Sequence, residues 1–485
     1  MVTSPAPTDP VSERARWRAF AVCLGAGFMT LLDVSIANVA LPSIEDSLDA
    51  DPSELQWIIA GYSLAFGLML VPAGRFGDVL GRRGVFVTGL VGFVVFSAAC
   101  GLAPSAEALA VLRLLQGLSA GILNPQVVGL IQELFRGSER GRAFGYFGAT
   151  VGIATATGPL LGGVLIAMFG QDEGWRAVFL VNVPIGLALV PLALRYIPAA
   201  RPARRRASLD VDIVGLALVG AAVVCVMLPF VVAAEGQGTG SPWWLVGIGA
   251  ALFGAFVLWE RRVERTGRSP VVTSSLARTR SFSFGIVVGT AYFGGFTGVF
   301  LLGTLYLQQG LGLTALQAGL TLTPFALLGA LSASRSGRLV QRFGRWTVVG
   351  GIVVMCLGII GVDLVVASID GPGAAVAMAA FLGLAGLGNG IVISPNQTLT
   401  LAEVPVERGG SAGGVLQTAQ RIGASIGVAI IASVFFAGLG DSSGAANGYG
   451  PAMSQGLIVT LALLGVALVA ALTDALRRRR LAPAG

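Results

Sequence analysis

Residues 28–42 read FMTLLDVSIANVALP and place one carboxylate, Asp33, inside an otherwise apolar run from about Ala19 to Leu41. A run of about 20 apolar residues is long enough to cross a bilayer as a helix. An ionised acid at that depth costs about 3 kcal/mol or more, and such groups usually mark ion or substrate pathways. The stretch therefore predicts a membrane-spanning helix that carries a functional carboxylate.

The rest of the chain has the same membrane character. Of its 485 residues, 54% are hydrophobic and 12% charged, whereas a soluble domain has about 25% charged residues. Its mean hydropathy is +0.81. Apolar runs of spanning length predict an all-α polytopic membrane protein with fourteen spans. Their predicted limits are 18–41, 54–73, 84–103, 106–132, 142–168, 176–196, 211–233, 242–260, 282–306, 315–337, 346–368, 373–400, 411–438 and 455–476.

The distribution of charge predicts how the chain lies in the membrane. All 32 basic residues are arginines, and they cluster between the apolar runs. The net charge of +7 therefore fits loops at an anionic lipid surface rather than nucleic-acid binding. With both termini in the cytoplasm, only Arg113, Arg176 and Arg421 lie outside cytoplasmic segments. We expect a multi-pass protein of a bacterial cytoplasmic membrane.

Several kinds of chemistry are not indicated by the sequence. The four cysteines lie within apolar runs, which is typical of core residues. There is no histidine, no phosphate-binding loop, no ATPase motif and no metal-ligand cluster. We therefore expect no enzymatic activity, no metal and no cofactor, with protons as the coupling ion and a monomeric chain.

An internal repeat divides the chain. GRFGDVLGRR at 74–83 follows the second span, and GRLVQRFGRW at 337–346 follows the tenth. A duplicated six-span unit would repeat after six spans, so two spans are inserted between the halves. The predicted parts are a cytoplasmic N-terminus at 1–17, a six-helix bundle at 18–196, two inserted helices at 211–260, a second bundle at 282–476, and a cytoplasmic tail at 477–485.

Four stretches resemble motifs of the major facilitator superfamily. The 74–83 segment is similar to its loop signature, and LRLLQG at 112–117 to its fourth-helix arginine motif. Gly148 and Gly152, followed by GPLLGG at 158–163, resemble the fifth-helix motif of its antiporters. LDVSIANVALP at 32–42 and WRAVFLVNVPIG at 175–186 are similar to the fourteen-span drug:proton antiporters. The resemblance implies the major facilitator fold and export by alternating access.

Asp33 is the predicted proton-coupling residue. With no histidine or lysine, and with cysteine and tyrosine ionising above about pH 8, a carrier near neutral pH must be Asp or Glu. Asp363 is the nearest rival; a purely structural acid, helped by Thr30 on the same helix face, is the alternative. The resemblance also implies the coupling role, with Arg113 tuning the acid, unless Arg113 extends to the surface instead. Gln116 is expected to hydrogen-bond Arg113.

Gly74, Asp78, Gly81 and Arg82 lie in the predicted turn between spans 2 and 3. The arginines alone are ordinary cytoplasmic charges, but Asp78 is an acid in a basic segment. The resemblance implies that Asp78 binds an arginine and the amino end of a helix in the other half, latching one conformation. That helix is expected to be span 13, near Ser411. The second copy has Gln341 instead, so the latch is expected to be one-sided.

The small residues of span 5 form a close-packing face with a proline kink. The resemblance implies that this face, made of Gly148, Gly152, Gly158, Pro159, Gly162 and Gly163, seals the halves against proton leak. Simple helix packing is the alternative.

The predicted substrate cavity combines aromatic rings with a few polar groups. Arg421 lies midway along span 13 and should face a partner or a wet cavity. Asn389 and Asn396 line the same cavity or form ordinary interhelical hydrogen bonds. The remaining candidates are Asn38, Tyr62, Phe66, Tyr292, Phe293, Phe296 and Gln308. For the aromatic residues among them, the alternative is that the rings face lipid or core.

The predicted function is proton-coupled efflux of lipophilic, often cationic, compounds, with Asp33 holding either a proton or a substrate. A dedicated exporter of one natural product is the nearest alternative. A proton:solute symporter is disfavoured by the Gly158–Pro159 motif. A membrane protein that transports nothing would not need Asp33.

Overall fold

The computed structural model describes residues 12–170, 172–199, 212–234, 241–268, 270–369, 371–440 and 448–481. In them, fourteen helices are long and apolar enough to cross a membrane, as the sequence predicts. They are α1 (Glu13–Leu48), α2 (Pro52–Leu80), α3 (Arg82–Gly101), α4 (Ala106–Leu134), α5 (Gly137–Phe169), α6 (Gly174–Tyr196), α7 (Ile213–Ala234), α8 (Trp244–Arg265), α9 (Arg280–Leu305), α10 (Ala315–Phe343), α11 (Trp346–Ser368), α12 (Pro372–Thr400), α13 (Gly409–Gly440) and α14 (Tyr449–Leu481).

Most helices extend beyond the apolar runs that predict them. The amino end of α2 shows why, because Asp51 and Glu54 form a capping box in which each side chain accepts the other's backbone N–H at 2.9 Å. At the other end, α2 continues to Leu80 and α3 begins at Arg82. The predicted turn at 74–83 is therefore wrong except at Gly81, whose φ of 102° favours glycine.

Two groups of six helices pack mainly among themselves, α1 to α6 and α9 to α14. Within the first, α1 packs against α2, α4, α5 and α6; within the second, α9 packs against α12, α13 and α14. The inserted helices α7 and α8 pack on each other, and α7 also contacts α2 and α13. We call the two groups the first and second halves. The numbered domain limits stay a prediction, and the linker at 200–211 lies outside the described residues.

The contacts between the halves lie on the side of the membrane where α1 begins and α2 ends, which we call the termini side. There α5 packs against α10 and α12, and α13 against α2 and α4. The approach is close because glycines line it. A Cβ at Gly145 would lie 2.6 Å from the Ala333 carbonyl oxygen, and one at Gly337 would lie 3.0 Å from the Gly141 backbone. The seam between the halves is closed on the termini side.

The small-residue face of α5 serves two different contacts. Gly148 and Gly152 face the second half, where a Cβ at Gly152 would lie 3.2 Å from the Ala326 carbonyl oxygen. Gly158 and Gly162, on either side of Pro159, instead face α1 within the first half. Gly163 has no neighbour that a Cβ would meet. Only the first part of the motif lies between the halves.

Gly158→Ala is expected to destabilise the protein by about 1 to 3 kcal/mol, because its Cβ would overlap Ser35. Gly163→Ala is the matched control, since its Cβ enters open space and alanine favours the helix. Thermal unfolding midpoints of both variants in detergent check this expectation. Equal midpoints would show that α1 and α5 are not closely packed at Gly158.

Candidate functional site

Three helices of the first half meet at the Asp33 carboxylate, which is completely buried. Its Oδ2 accepts a hydrogen bond from Arg113 Nη1 at 2.6 Å. Its Oδ1 accepts from Gln116 Nε2 at 2.8 Å and from Asn182 Nδ2 at 2.9 Å. Residues 113 and 116 are one turn apart on α4 and so share a face. The ionised carboxylate is thus matched by one cation and two amide donors.

Arg113 points into the protein rather than to the surface. It is 1% exposed, so the alternative in which it extends to the membrane surface is wrong. Beside its bond to Asp33 it donates to Gln116 Oε1 at 2.8 Å, as expected, and to the Ile58 carbonyl at 3.2 Å. Its guanidinium lies 4.2 Å from the centre of the Tyr62 ring. Asp33 and Arg113 therefore form a buried, satisfied ion pair.

Two details of the pair differ from the sequence prediction. Thr30 does not help Asp33; its hydroxyl donates to the Gly27 carbonyl at 3.0 Å, because that acceptor lies on its own helix. Asn182, which the sequence analysis gave no role, instead bonds both Asp33 and Ser97. An amide within an apolar run was the available signal. Asn182 is the first residue of the second part of α6, after a break at Val181.

The carboxylate does not open onto the space between the halves in this conformation. All three of its partners belong to the first half, and no part of Asp33 is exposed. The expectation that substrate binds directly to this carboxylate is therefore wrong for this state.

Asp78 joins the last turn of α2 to the amino end of α13. Its carboxylate accepts from the backbone N–H of Gly410 at 3.0 Å, and from the N–H and the hydroxyl of Ser411, both at 2.8 Å. It also pairs with Arg82 at 3.0 Å. The first N–H groups of a helix lack internal partners and favour a negative charge. The structure thus brings together Asp78 and the amino end of α13 near Ser411, as the sequence predicts.

Arg82 extends the same connection. It donates to the Val406 carbonyl of the second half at 2.5 Å and pairs with Glu133 of α4 at 3.1 Å. Gly74 lies directly against Gly410, and a Cβ there would overlap the Gly410 carbonyl. In the second copy of the repeat, Gln341 is exposed, and Arg345 pairs with Asp474 of its own half. The first copy of the repeat thus forms a polar link between the halves, whereas the second forms an ion pair within its own half.

The candidate cavity residues fall into two groups. In the first, Tyr62 and Phe66 of α2 stack with ring centres 6.2 Å apart, and Arg421 of α13 lies 4.5 Å from the centre of Phe66. This group spans the two halves. Asn38 of α1 is exposed, and an exposed amide at membrane depth favours a water-filled space over lipid.

The second group lies within the second half. Tyr292 is buried and donates to Asn389 Oδ1 at 2.7 Å, while Phe296 stacks on it at 5.9 Å. Phe293 packs against both rings, and Gln308 lies in the π-helical turn after α9. Asn396 donates to the Gly285 carbonyl at 3.0 Å. The two asparagines thus form ordinary interhelical hydrogen bonds.

Asp363, the rival acid, lies on α11 in the second half. One of its carboxylate oxygens, Oδ1, is buried and has no hydrogen-bond partner within the described part of the chain. Among the described residues, no cation is paired with it as Arg113 is paired with Asp33. This difference favours Asp33 as the residue whose protonation is coupled to other groups.

Comparisons with known proteins agree with this architecture. The sequence model of the Major Facilitator Superfamily matches residues 23–428. The chain is 37% identical to the probable actinorhodin transporter of Streptomyces coelicolor over 433 residues, 88% of this chain and 74% of that protein. It is 33% identical to the multidrug resistance protein Stp of Mycobacterium tuberculosis, over 86% of this chain and 76% of that protein.

The fold is also that of solved transporters. The proton:xylose symporter XylE, bound to 6-bromo-6-deoxy-D-glucose, superposes with a TM-score of 0.65 over 95% of both chains. The two sequences are 14% identical, so this likeness concerns the fold alone.

Replacing both members of the buried pair should harm stability less than replacing one. Asp33→Leu leaves Arg113 buried without a carboxylate, which costs about 3 to 5 kcal/mol. Adding Arg113→Met removes the second charge and should recover most of that loss. Thermal unfolding of the two single variants and the double variant in detergent measures this. Additive losses would mean that the two charges do not stabilise each other.

Proposed function

Since the chain belongs to the Major Facilitator Superfamily, we propose that it exports lipophilic drugs or antibiotics from a bacterial cell in exchange for protons. The observation that carries the proton coupling is the enclosed pair of Asp33 and Arg113. A carboxylate held by a cation at membrane depth is expensive to keep and is typical of ion pathways. The relatives named for drug resistance and antibiotic transport support the export of such compounds.

The breadth of substrates has two candidates. One curated relative is named for a single compound and the other for multidrug resistance. The half-buried rings Phe293 and Phe296 provide an adaptable apolar surface, which favours a range of lipophilic ligands. A dedicated exporter of one natural product remains the second candidate.

We place both termini in the cytoplasm and the chain in the cytoplasmic membrane. The fourteen spans put both ends of the chain on one side of the membrane. Arginines concentrate on that side, as cytoplasmic loops require. The closed seam then faces the cytoplasm, and the exposed Asn38 faces the outside. The described conformation is outward-facing in this arrangement.

Protonation of Asp33 would reach the seam through Arg113. Once the carboxylate is neutral, the guanidinium loses its counterion and its preference for this position falls. Arg113 lies on Tyr62, Tyr62 stacks on Phe66, and Phe66 contacts Arg421 of the second half. A change at the acid thus has a packed route to the other half. One proton moving down a potential of 150 mV supplies roughly 3.5 kcal/mol.

Asp78 would stabilise the outward-facing state. Its three bonds to the amino end of α13 exist only while the seam on the termini side is closed. Charge-assisted hydrogen bonds of this kind are each worth about 1.5 to 3 kcal/mol. Opening to the cytoplasm must break them, so Asp78 sets the balance between the two states.

A pH gradient should drive substrate movement in proteoliposomes containing the wild-type chain, but not in those containing Asp33→Asn. The amide retains the shape of the side chain but cannot exchange a proton. Fluorescence of rhodamine 6G, a lipophilic dye, reports the movement. Thermal unfolding of Asp33→Asn shows whether any loss reflects misfolding.

Four outcomes separate the alternatives. Gradient-driven accumulation on the side from which protons leave indicates exchange, and movement with the protons indicates symport. Accumulation that Asp33→Asn leaves intact would sink the coupling role of Asp33, and the same replacement at Asp363 would then be the next test. If none of several lipophilic dyes moved, a dedicated exporter would be favoured.

Asp78→Asn should shift the protein away from the outward-facing state. A cysteine at Asn38, in a chain whose four native cysteines are replaced by alanine, would be labelled from outside intact cells by a membrane-impermeant maleimide. We expect Asp78→Asn to lower the labelling rate at least threefold, since the negative charge at the amino end of α13 is lost.

Gln341→Asn is the matched control because Gln341 occupies the equivalent position in the second repeat and is exposed. It should leave the labelling rate unchanged. Equal rates for Asp78→Asn and wild type would refute the latch. Labelling of Asn38→Cys only in inverted vesicles would overturn the proposed orientation.

A further inference from the structure

Within the described part of the chain, Arg421 is a cation without a carboxylate partner. None of the ion pairs among the described residues includes it, whereas the two buried arginines of the first half, Arg82 and Arg113, each have acidic partners. Its guanidinium lies over the Phe66 ring, 4.5 Å from the ring centre. An arginine midway along a spanning helix is costly without a counter-charge. No described carboxylate supplies that counter-charge, so either water in the space between the halves or a bound anion must solvate the half-buried guanidinium.

On α13, Arg421 lies at the end of the closed seam. Along this helix, Gly410, Gly414 and Arg421 meet α2 at Gly74, Leu70 and Phe66 respectively. The first two contacts are between backbones, because glycine allows them. At the third, a long side chain takes the place of glycine. Further along, Gly423 and Gly427 pack against α9 in their own half. Arg421 therefore lies where the halves begin to separate.

The guanidinium is held in a way that leaves its donors available. A planar guanidinium on a ring face uses no N–H group, so its five donors stay free along its edge. Phe66 is itself held by stacking on Tyr62. One turn before Arg421 on the same helix, Gln417 has a buried amide oxygen without a hydrogen-bond partner in the described chain. The site offers a forked cation, an acceptor and aromatic surface.

Among the described residues, no free acid lies at this site to balance the charge of Arg421. Asp33 is the membrane-embedded carboxylate that the fewest side-chain contacts connect to this site. It is enclosed by Arg113, Gln116 and Asn182. A cationic substrate would thus meet Arg421 and find no exposed carboxylate. An anionic substrate would provide the counter-charge that Arg421 lacks, and bidentate pairing of arginine with a carboxylate is among the stronger polar contacts.

We propose that Arg421 is the receptor for an acidic group of the substrate, so that the preferred cargo is a flat aromatic compound carrying a carboxylate or an ionised phenol. The inference rests on the proposed export function and changes its expected substrate class from cationic to anionic. Exchange of one singly charged anion of this kind for one incoming proton moves two charges across the membrane. Exchange of a monovalent cation for one proton moves none.

Two dyes with the same ring system test the proposal. Fluorescein is an anion at pH 8, and rhodamine 123 is a cation. We expect the purified full chain to bind fluorescein more tightly, measured by fluorescence polarisation. Arg421→Gln should weaken fluorescein binding at least tenfold and leave rhodamine 123 binding unchanged or improved. Arg421→Lys, which keeps the charge but not the fork, should lose less.

Arg335→Gln is the control for charge alone, since Arg335 is an exposed arginine of α10, and it should bind both dyes as wild type does. Thermal unfolding shows whether Arg421→Gln is folded, and Arg421→Lys provides the test if it is not. Unchanged fluorescein binding by the folded Arg421 variants would overturn the proposal. So would binding of rhodamine 123 but not fluorescein by wild type, or binding of neither dye.

Transport in proteoliposomes separates this inference from the function on which it rests. Fluorescein efflux that requires an inward proton gradient and that an inside-negative potential accelerates would support exchange of the anion for protons. Gradient-driven movement of rhodamine 123 alone would uphold export and refute the anionic site. Arg421-dependent fluorescein binding without any response to the pH gradient would uphold the anionic site and refute proton coupling.

Discussion

The pairing of Asp33 with Arg113 is the interaction on which the rest of the first half depends. Two opposite charges buried at membrane depth are tolerable only when each is fully hydrogen-bonded. Gln116 and Asn182 meet that requirement for the acid, and they bring α4 and α6 onto α1. The arrangement is neutral as a whole but changes when a single proton is added. That property makes a buried pair suitable for coupling.

A second constraint is the close approach of the two halves. Glycines on α5, α10, α2 and α13 let backbones touch on the termini side, and a side chain at most of these positions would force the halves apart. Such contacts contribute packing but little directional bonding. Asp78 adds direction by binding the amino end of α13. The seam thus combines a surface that can separate with one polar link that opposes separation.

The two sites are connected by a short stack of side chains. Arg113, Tyr62, Phe66 and Arg421 follow one another from the buried acid to the second half. Each contact is between a planar cation and a ring or between two rings, which depends on orientation as well as distance. Displacement of one member therefore disturbs the next. A substrate at Arg421 and a proton at Asp33 would therefore influence each other through this stack, rather than compete for one atom.

Much of the architecture could be predicted from the sequence alone. Apolar length determines span number, since a helix must satisfy its own backbone in lipid, and all fourteen spans were found. An acid and an arginine within apolar runs identified Asp33 and Arg113, because burial of unpaired charge is too costly to be incidental. The same reasoning identified Asp78 as unusual in a basic segment.

The tertiary structure alone decided which side chains meet. Asn182 rather than Thr30 completes the Asp33 site, because the second part of α6 brings an amide from 149 positions away. Tyr292 and Asn389 bond each other inside the second half, whereas Phe66 and Arg421 meet across the seam. A pattern along one helix gives the direction of a side chain relative to its neighbours in sequence. It does not give the neighbouring helix, which is determined by packing between distant segments.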